Sequence, residues 1–375
     1  MKAASPALTA WPSRFELLDG LRGLAALAVV LHHLQVFTDG HFAVMVFFVI
    51  SGYCITASAE SCRRAGLGFG PFMMRRVRRI YPPYLLAVLF YVVTRAVKAA
   101  MGGPNELQRP ALDWLQNLTL TQWVSNVFHP ISWPSANPHL FVPAFWSLNY
   151  EEQFYLVIAV CLVAATAKRF SLIVPVLLLA AIGLIWNWSI PGNWVCGFFL
   201  EYWLHFALGS CLYFSLCVFT DVRSRSIFVS LLVALGLASL YRILPWSAAT
   251  GADLRSMVEL AFLSAVAFGL FFLRPLSLPI SRSVLWRPIA AMGTISYSLY
   301  LVHQFNLTLV ASMAQRVLPS SAPRFVMTAA MVALHLALAA SFWYFCERPF
   351  LSRKASSPPL APSPIFRGQR GAASP

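Results

Sequence analysis

Arg22 and His33 stand eleven positions apart in one apolar stretch, with His32 beside the second of them. Eleven residues carry a helix through about three turns, so both side chains leave nearly the same face, roughly 16 Å apart along the axis. Such a helix can hold a cation near one end and an imidazole that titrates near neutrality at the other. Ionisable groups within an apolar helix are costly, and they mark a pathway, a pocket or chemistry.

Other candidates are grouped in the same way. Arg75, Arg76, Arg78 and Arg79 precede Tyr81-Pro82-Pro83. Guanidinium groups bind phosphate in a bidentate manner, and a cluster of this kind equally well rests on anionic lipid at a membrane surface. Glu151 and Glu152 are adjacent after Trp146-Ser147-Leu148. Neighbouring helical positions diverge by about 100°, so one acid faces the bundle and the other stays wet. Ser51-Gly52 offers a small surface for close backbone approach. His303 follows Ser296-Tyr297-Ser298-Leu299-Tyr300 within an apolar run and could line the same cavity. His335 and Glu347 read as polar contacts between helices.

The elements that must position these groups are membrane spans. The chain has 375 residues, 59% hydrophobic and 11% charged, with a mean hydropathy of +0.68. That much apolar surface exceeds what a soluble core of this size hides. Ten stretches are long enough, or nearly so, to cross a bilayer as helices: residues 21–37, 42–57, 81–97, 146–167, 172–188, 198–218, 227–241, 257–273, 289–310 and 325–345. The expected fold is an all-α polytopic membrane protein with both termini cytoplasmic. With that orientation, twenty of the 28 Lys and Arg residues fall on the inner side, as the positive-inside rule requires. The net charge of +15 is thereby explained by topology and by anionic lipid. Nucleic-acid binding is disfavoured, because the basic residues are scattered over short loops. The same topology puts His33 and Glu151 near the outer ends of their helices, an acid and a base at similar depth.

Residues 1–16 form a cytoplasmic lead without a cleavage motif, which suits a retained signal-anchor. Residues 17–351 form the membrane domain. Its segment 98–145, rich in Pro, Asn, His and Trp, lies outside the bilayer, either as a functional loop or as an interfacial segment anchored by tryptophan. Residues 352–375, rich in Ser, Pro and Ala, should be disordered. The seven cysteines have no C-x-x-C pair and read as small apolar residues, with no metal site expected.

Taken in order, Asp19-Gly20-Leu21-Arg22-Gly23 with His33, Phe47-Phe48 with Ser51-Gly52, the arginine cluster with Ile80-Tyr81-Pro82, Trp146-Ser147-Leu148 with Glu151 and Gln153-Phe154-Tyr155, Ser296-Tyr297-Ser298 with Tyr300-Leu301 and His303, and Glu347-Arg348-Pro349-Phe350 resemble the acyltransferase family 3 membrane O-acyltransferases. That family includes bacterial O-antigen and exopolysaccharide acetylases. The resemblance covers residues 15–351 and implies ten spans in a bacterial inner membrane. It implies an acyl-coenzyme A co-substrate, with no permanently bound cofactor, and a carbohydrate or glycolipid acceptor. By position it marks His33 as the essential histidine, with His32 as an alternative base, Glu151 as the fourth-span acid, and Arg22, Arg75, Arg76, Arg78 and Arg79 as donor-binding. Asp19, Ser51, Tyr155 and His303 are pocket candidates. The C-terminal hydrolase-like domain of longer relatives is expected to be missing.

The chemistry is coherent. A sugar hydroxyl is a weak nucleophile and needs a base with a pKa near neutral, which imidazole supplies, together with stabilisation of a tetrahedral oxyanion. On this reading His33 deprotonates the acceptor, Glu151 orients or charges it, and the arginines grip the donor's phosphates. The rival class is a proton-coupled transporter of a glycolipid or small molecule, which also uses intramembrane Arg, His and Glu. The inverted repeat and paired broken helices of such transporters do not stand out in the sequence.

Overall fold

A computed structural model of the chain describes residues 15–37, 40–129, 131–132, 139–189, 194–195, 197–219, 221–231, 254–319 and 321–351. Residues 1–14, most of the expected span 227–241 and the tail 352–375 lie outside the described residues. The rest is helical: α1 (Glu16–His33), α2 (Gly40–Arg64), α3 (Phe69–Ala100), α4 (Ala111–Thr119), α5 (Gln122–Phe128), α6 (Trp146–Lys168), α7 (Ile173–Ser189), α8 (Trp203–Cys217), α9 (Leu254–Leu273), α10 (Ser277–Arg282), α11 (Trp286–Thr294), α12 (Ser296–Val302), α13 (Leu307–Val317) and α14 (Arg324–Phe342), with a π-helical turn at Trp343–Glu347. A two-residue antiparallel pairing joins Ile131–Ser132 to Trp194–Val195.

Among the described residues five helical segments are long and apolar enough to cross a membrane, and two shorter ones, Ile173–Trp186 and Trp203–Cys217, are apolar as well. The protein is a multi-pass membrane protein. α1 falls outside that set because Glu16, Asp19 and Arg22 interrupt its apolar character. It is held in the bundle by neighbours, packing against α2 and α11. Glycines set how near these neighbours come. A Cβ on Gly293 of α11 would lie 1.7 Å from the Asp19 carbonyl oxygen, and one on Gly23 would lie 2.6 Å from the Gly293 nitrogen. α2 crosses α8 in the same manner: a Cβ on Gly209 would meet the Val49 oxygen at 1.9 Å and one on Gly52 the Phe206 oxygen at 2.0 Å. Small residues let backbones touch where lipid supplies no hydrophobic drive for helices to associate.

Several boundaries differ from the sequence expectation. α6 and α7 begin and end within a residue of it. α3, expected at 81–97, starts at Phe69 and runs through Pro82 and Pro83. The prolines are therefore interior, and the arginine cluster lies on the helix, where Arg76 and Arg79 share a face at i,i+3 spacing. The expected span 289–310 is broken into α11, α12 and α13, with turns at Ile295 and at His303–Asn306. The described residues of the segment 98–145 pack against α3. Asn117 donates to the carbonyl oxygens of Asp113 and His139 at 2.7 Å each and accepts from the Phe141 N–H at 2.9 Å. Tyr84 of α3 donates to the Asn117 carbonyl, and Trp114 packs edge-on to Phe141, with ring centroids 4.7 Å apart.

Gly293→Ala and Gly209→Ala should each cost about 1–3 kcal/mol, since the added methyl forces two backbones apart. Gly269→Ala, where nothing lies within 4 Å of the new Cβ, should leave stability unchanged or raise it. Thermal midpoints in detergent check this order.

Candidate active site

The face of α2 that meets α8 through Gly52 turns Ser51 toward α6. There Ser51 Oγ donates to Glu151 Oε1 at 3.1 Å, and Tyr155, one turn further along α6, donates to the same oxygen at 2.6 Å. Helical spacing explains the second bond, because residues i and i+4 stack on one face. Around this carboxylate the bundle opens into a cleft, walled also by Arg22 from α1, Arg76 and Arg79 from α3, and Tyr297 and Tyr300 from α12. The Arg76 guanidinium lies 5.9 Å from the centre of the Phe72 ring and 5.8 Å from that of Tyr155, and its Nε is buried without a partner. Glu347, accepting from Ser298 Oγ at 2.5 Å, adds a second carboxylate within electrostatic reach of Arg22 and Arg79. A second cavity adjoins the cleft between α3 and α6. It shares Arg76, Glu151 and Tyr155 with the cleft and adds Tyr81 and Glu152, which are bonded to each other.

Tyr300 joins the cleft to the imidazoles. Its hydroxyl bonds Ser147 Oγ at 2.8 Å and the Ala144 carbonyl, while its ring lies 5.7 Å from that of His303. His303 in turn lies 5.1 Å from His33, centroid to centroid. The two adjacent histidines of α1 part ways at the helix end. His32 Nδ1 donates to the Phe37 carbonyl at 3.1 Å, fastening the turn that ends α1, and His33 faces His303.

The structure thus brings together Arg22, Arg76, Arg79, Glu151, Ser51 and Tyr155, and at one remove His33 and His303. It does not bring in the others. Arg75 and Arg78 are exposed, and Arg75 reaches Cys62 Sγ at 3.5 Å, because the α-helical continuation of α3 turns these two away from Arg76 and Arg79. Asp19 is exposed and lies outside the cleft, one turn before Arg22 on a face given over to the glycine contact. Glu151 and His33 share no hydrogen bond; the acid's side-chain partners are Ser51 and Tyr155. Ser147, Tyr297 and Tyr300 were absent from the sequence-derived candidates, although all three sit inside motifs that were singled out. The i,i+3 spacing of Arg76 and Arg79 was the available signal for separating the two pairs of arginines.

The cleft sets three guanidiniums beside the half-buried carboxylate of Glu151 and several hydroxyls, a setting suited to a polyanion and, through Tyr300, to a proton-accepting imidazole. No group of three or more metal-ligating side chains occurs among the described residues. Comparison with known proteins gives the arrangement a context. The profile of the acyltransferase domain matches residues 15–344. The chain is 33% identical over 153 residues to the peptidoglycan O-acetyltransferase OatA of Listeria monocytogenes, a stretch covering 37% of this chain and 23% of that one. It is 32% identical over 151 residues to the provisionally named peptidoglycan O-acetyltransferase YrhL of Bacillus subtilis, covering 37% and 22%. These alignments span about a quarter of the relatives' length. No solved structure matches.

Polyphosphate binding should follow the inward-facing arginines alone. ADP should raise the thermal midpoint of the wild type, Arg75→Ala and Arg78→Ala, and fail to do so for Arg76→Ala and Arg79→Ala.

Proposed function

The chain belongs to the acyltransferase family whose domain profile spans residues 15–344, and from that premise we propose that it moves an acyl group, acetyl foremost, from acyl-coenzyme A to a hydroxyl of a cell-surface carbohydrate or lipid-linked glycan. The observation that carries this reading is the cleft itself. Arg22, Arg76 and Arg79 line it, and Tyr300 and His303 lead from it to His33. Coenzyme A presents phosphates at one end and a thioester at the other, so it suits a site with guanidiniums and an imidazole set apart along one helix. About 16 Å of α1 separates Arg22 from His33.

In the proposed reaction the acceptor hydroxyl attacks the thioester carbonyl while His33 takes the hydroxyl proton. The tetrahedral intermediate collapses, the C–S bond breaks, and the coenzyme A thiolate takes the proton from the His33 imidazolium and leaves as the thiol. General-base help of this kind contributes about 10²–10⁴-fold. His33 is preferred to His32 because the His32 ring is tied to the turn that ends α1 by its bond to the Phe37 carbonyl. Glu151 acts on the donor side: it orients Tyr155 and balances Arg76 and Arg79, with which it interacts electrostatically. The reading retains ten crossings, cytoplasmic termini and a bacterial inner-membrane location. The names of the Listeria and Bacillus relatives, both peptidoglycan O-acetyltransferases, support a glycan of the cell envelope as acceptor.

Purified protein given labelled acetyl-coenzyme A should cleave the thioester. His33→Ala should lower the rate by about 100-fold or more, and His32→Ala should stay within a few-fold of wild type. Wild-type cleavage by folded His33→Ala would overturn the assignment of the base. Absence of cleavage in the wild type, with glycolipid movement across vesicles, would favour the transporter.

A further inference from the structure

His303 sits at the break between α12 and α13, with a side chain that is 0% exposed. Its Nδ1 lies 2.9 Å from the Tyr300 carbonyl oxygen and 3.2 Å from that of Leu299. Carbonyl oxygens only accept, so Nδ1 carries the proton and, in the neutral ring, Nε2 is left as a lone-pair acceptor. That Nε2 is buried and has no partner, a state that costs free energy until a donor is supplied. The ring in contact with it from α1 is His33, with centroids 5.1 Å apart and planes inclined at 42°. Two imidazoles joined by an N–H···N bond of about 2.9 Å have centroids roughly 5.2 Å apart. The 5.1 Å separation of the two rings is thus the spacing such a bond requires.

We propose that His303 is a positioning residue for His33: its Nε2 accepts the N–H of the His33 ring, which fixes that ring's tautomer and leaves the opposite nitrogen free to take the acceptor's proton. The proposal rests on His33 being the base. The proton balance is simple. The acceptor's proton goes to the free nitrogen of His33, the imidazolium keeps its other N–H on His303, and the proton departs with the coenzyme A thiol; none is left on His303. The remaining groups facing His303 are Tyr300, whose hydroxyl is engaged by Ala144 and Ser147, and His335 of α14, buried with both ring nitrogens unpartnered. Among the described residues His335 is the competing donor.

The test is the tautomer of His33, read by solid-state NMR of ¹⁵N-histidine-labelled protein in lipid, which requires no knowledge of donor or acceptor. Wild type should show a single His33 tautomer. His303→Leu should give a mixture, His303→Gln, whose amide oxygen replaces the acceptor, should restore the wild-type state, and His335→Leu should leave it unchanged. In parallel, His303→Leu should lower kcat for acetyl transfer by about 10-fold or more, with KM for acetyl-coenzyme A held within a few-fold, and His303→Gln should recover most of the rate. A His33 tautomer indifferent to His303→Leu, or one altered by His335→Leu instead, overturns the proposal. So do equal rate losses in the Leu and Gln variants. If the tautomer responds as expected while every protein is inert toward acetyl-coenzyme A, the contact stands and the acyl-transfer reading falls.

Discussion

Three guanidiniums share a cleft in a bundle whose surroundings are hydrocarbon, and the rest of the site depends on how that charge is balanced. An unpaired charge in such a medium is prohibitive, and burying a pair is tolerable only if its hydrogen bonds are satisfied. Here the balance comes from Glu151, fastened by Ser51 and Tyr155, and from Glu347, fastened by Ser298. Each carboxylate is fixed by hydroxyl donors from the bundle while the arginines stand opposite. Two carboxylates against three cations leave the cleft short of negative charge, and a phosphorylated donor would supply it.

The same economy explains the helix crossings. α1 is too polar to be held by lipid, and its contact with α11 is drawn close by Gly23 and Gly293. α2 is anchored to α8 by Gly52 and Gly209, which leaves Ser51 to bond Glu151. At that crossing the glycine is thus a condition for the polar contact one residue away. In the same way, the break of the expected single span into α11, α12 and α13 places Tyr300 and His303 where an unbroken helix would have carried them past His33.

Much of this was legible in the sequence, and what escaped has physical causes. α7 is a plain apolar run whose ends could be read directly, and α6, although it opens with Ser147, Asn149, Glu151 and Glu152, has an apolar second half that gave its length. α3 was read short because Pro82-Pro83 signals a helix start, whereas proline within a membrane helix is tolerated when neighbours re-satisfy the freed carbonyls. The break at Ile295 has no turn residue of its own beyond Gly293, whose role is the contact with Asp19. The sequence and the family resemblance together named Arg22, Arg76, Arg79, Glu151, Ser51 and Tyr155, but they put Arg75, Arg78 and Asp19 in the same group and could not show that the acid would bond within the arginine cleft, because depth along a helix does not fix which face a side chain takes. The orphaned Nε2 of His303 belongs to the same class: a lone histidine in an apolar run is silent until its neighbours are known.

The central claim is that α1 holds the two ends of the donor, phosphates at Arg22 and thioester at His33. Its most direct measurement is an electron cryomicroscopy structure of the protein in lipid with a non-hydrolysable acetyl-coenzyme A analogue. The account predicts phosphate oxygens within hydrogen-bond distance of Arg22, Arg76 and Arg79 and the acetyl carbonyl beside His33, with the pantetheine arm running along α1 past Tyr300. Phosphates bound at the exposed Arg75 and Arg78, or an acetyl group remote from His33, would contradict it.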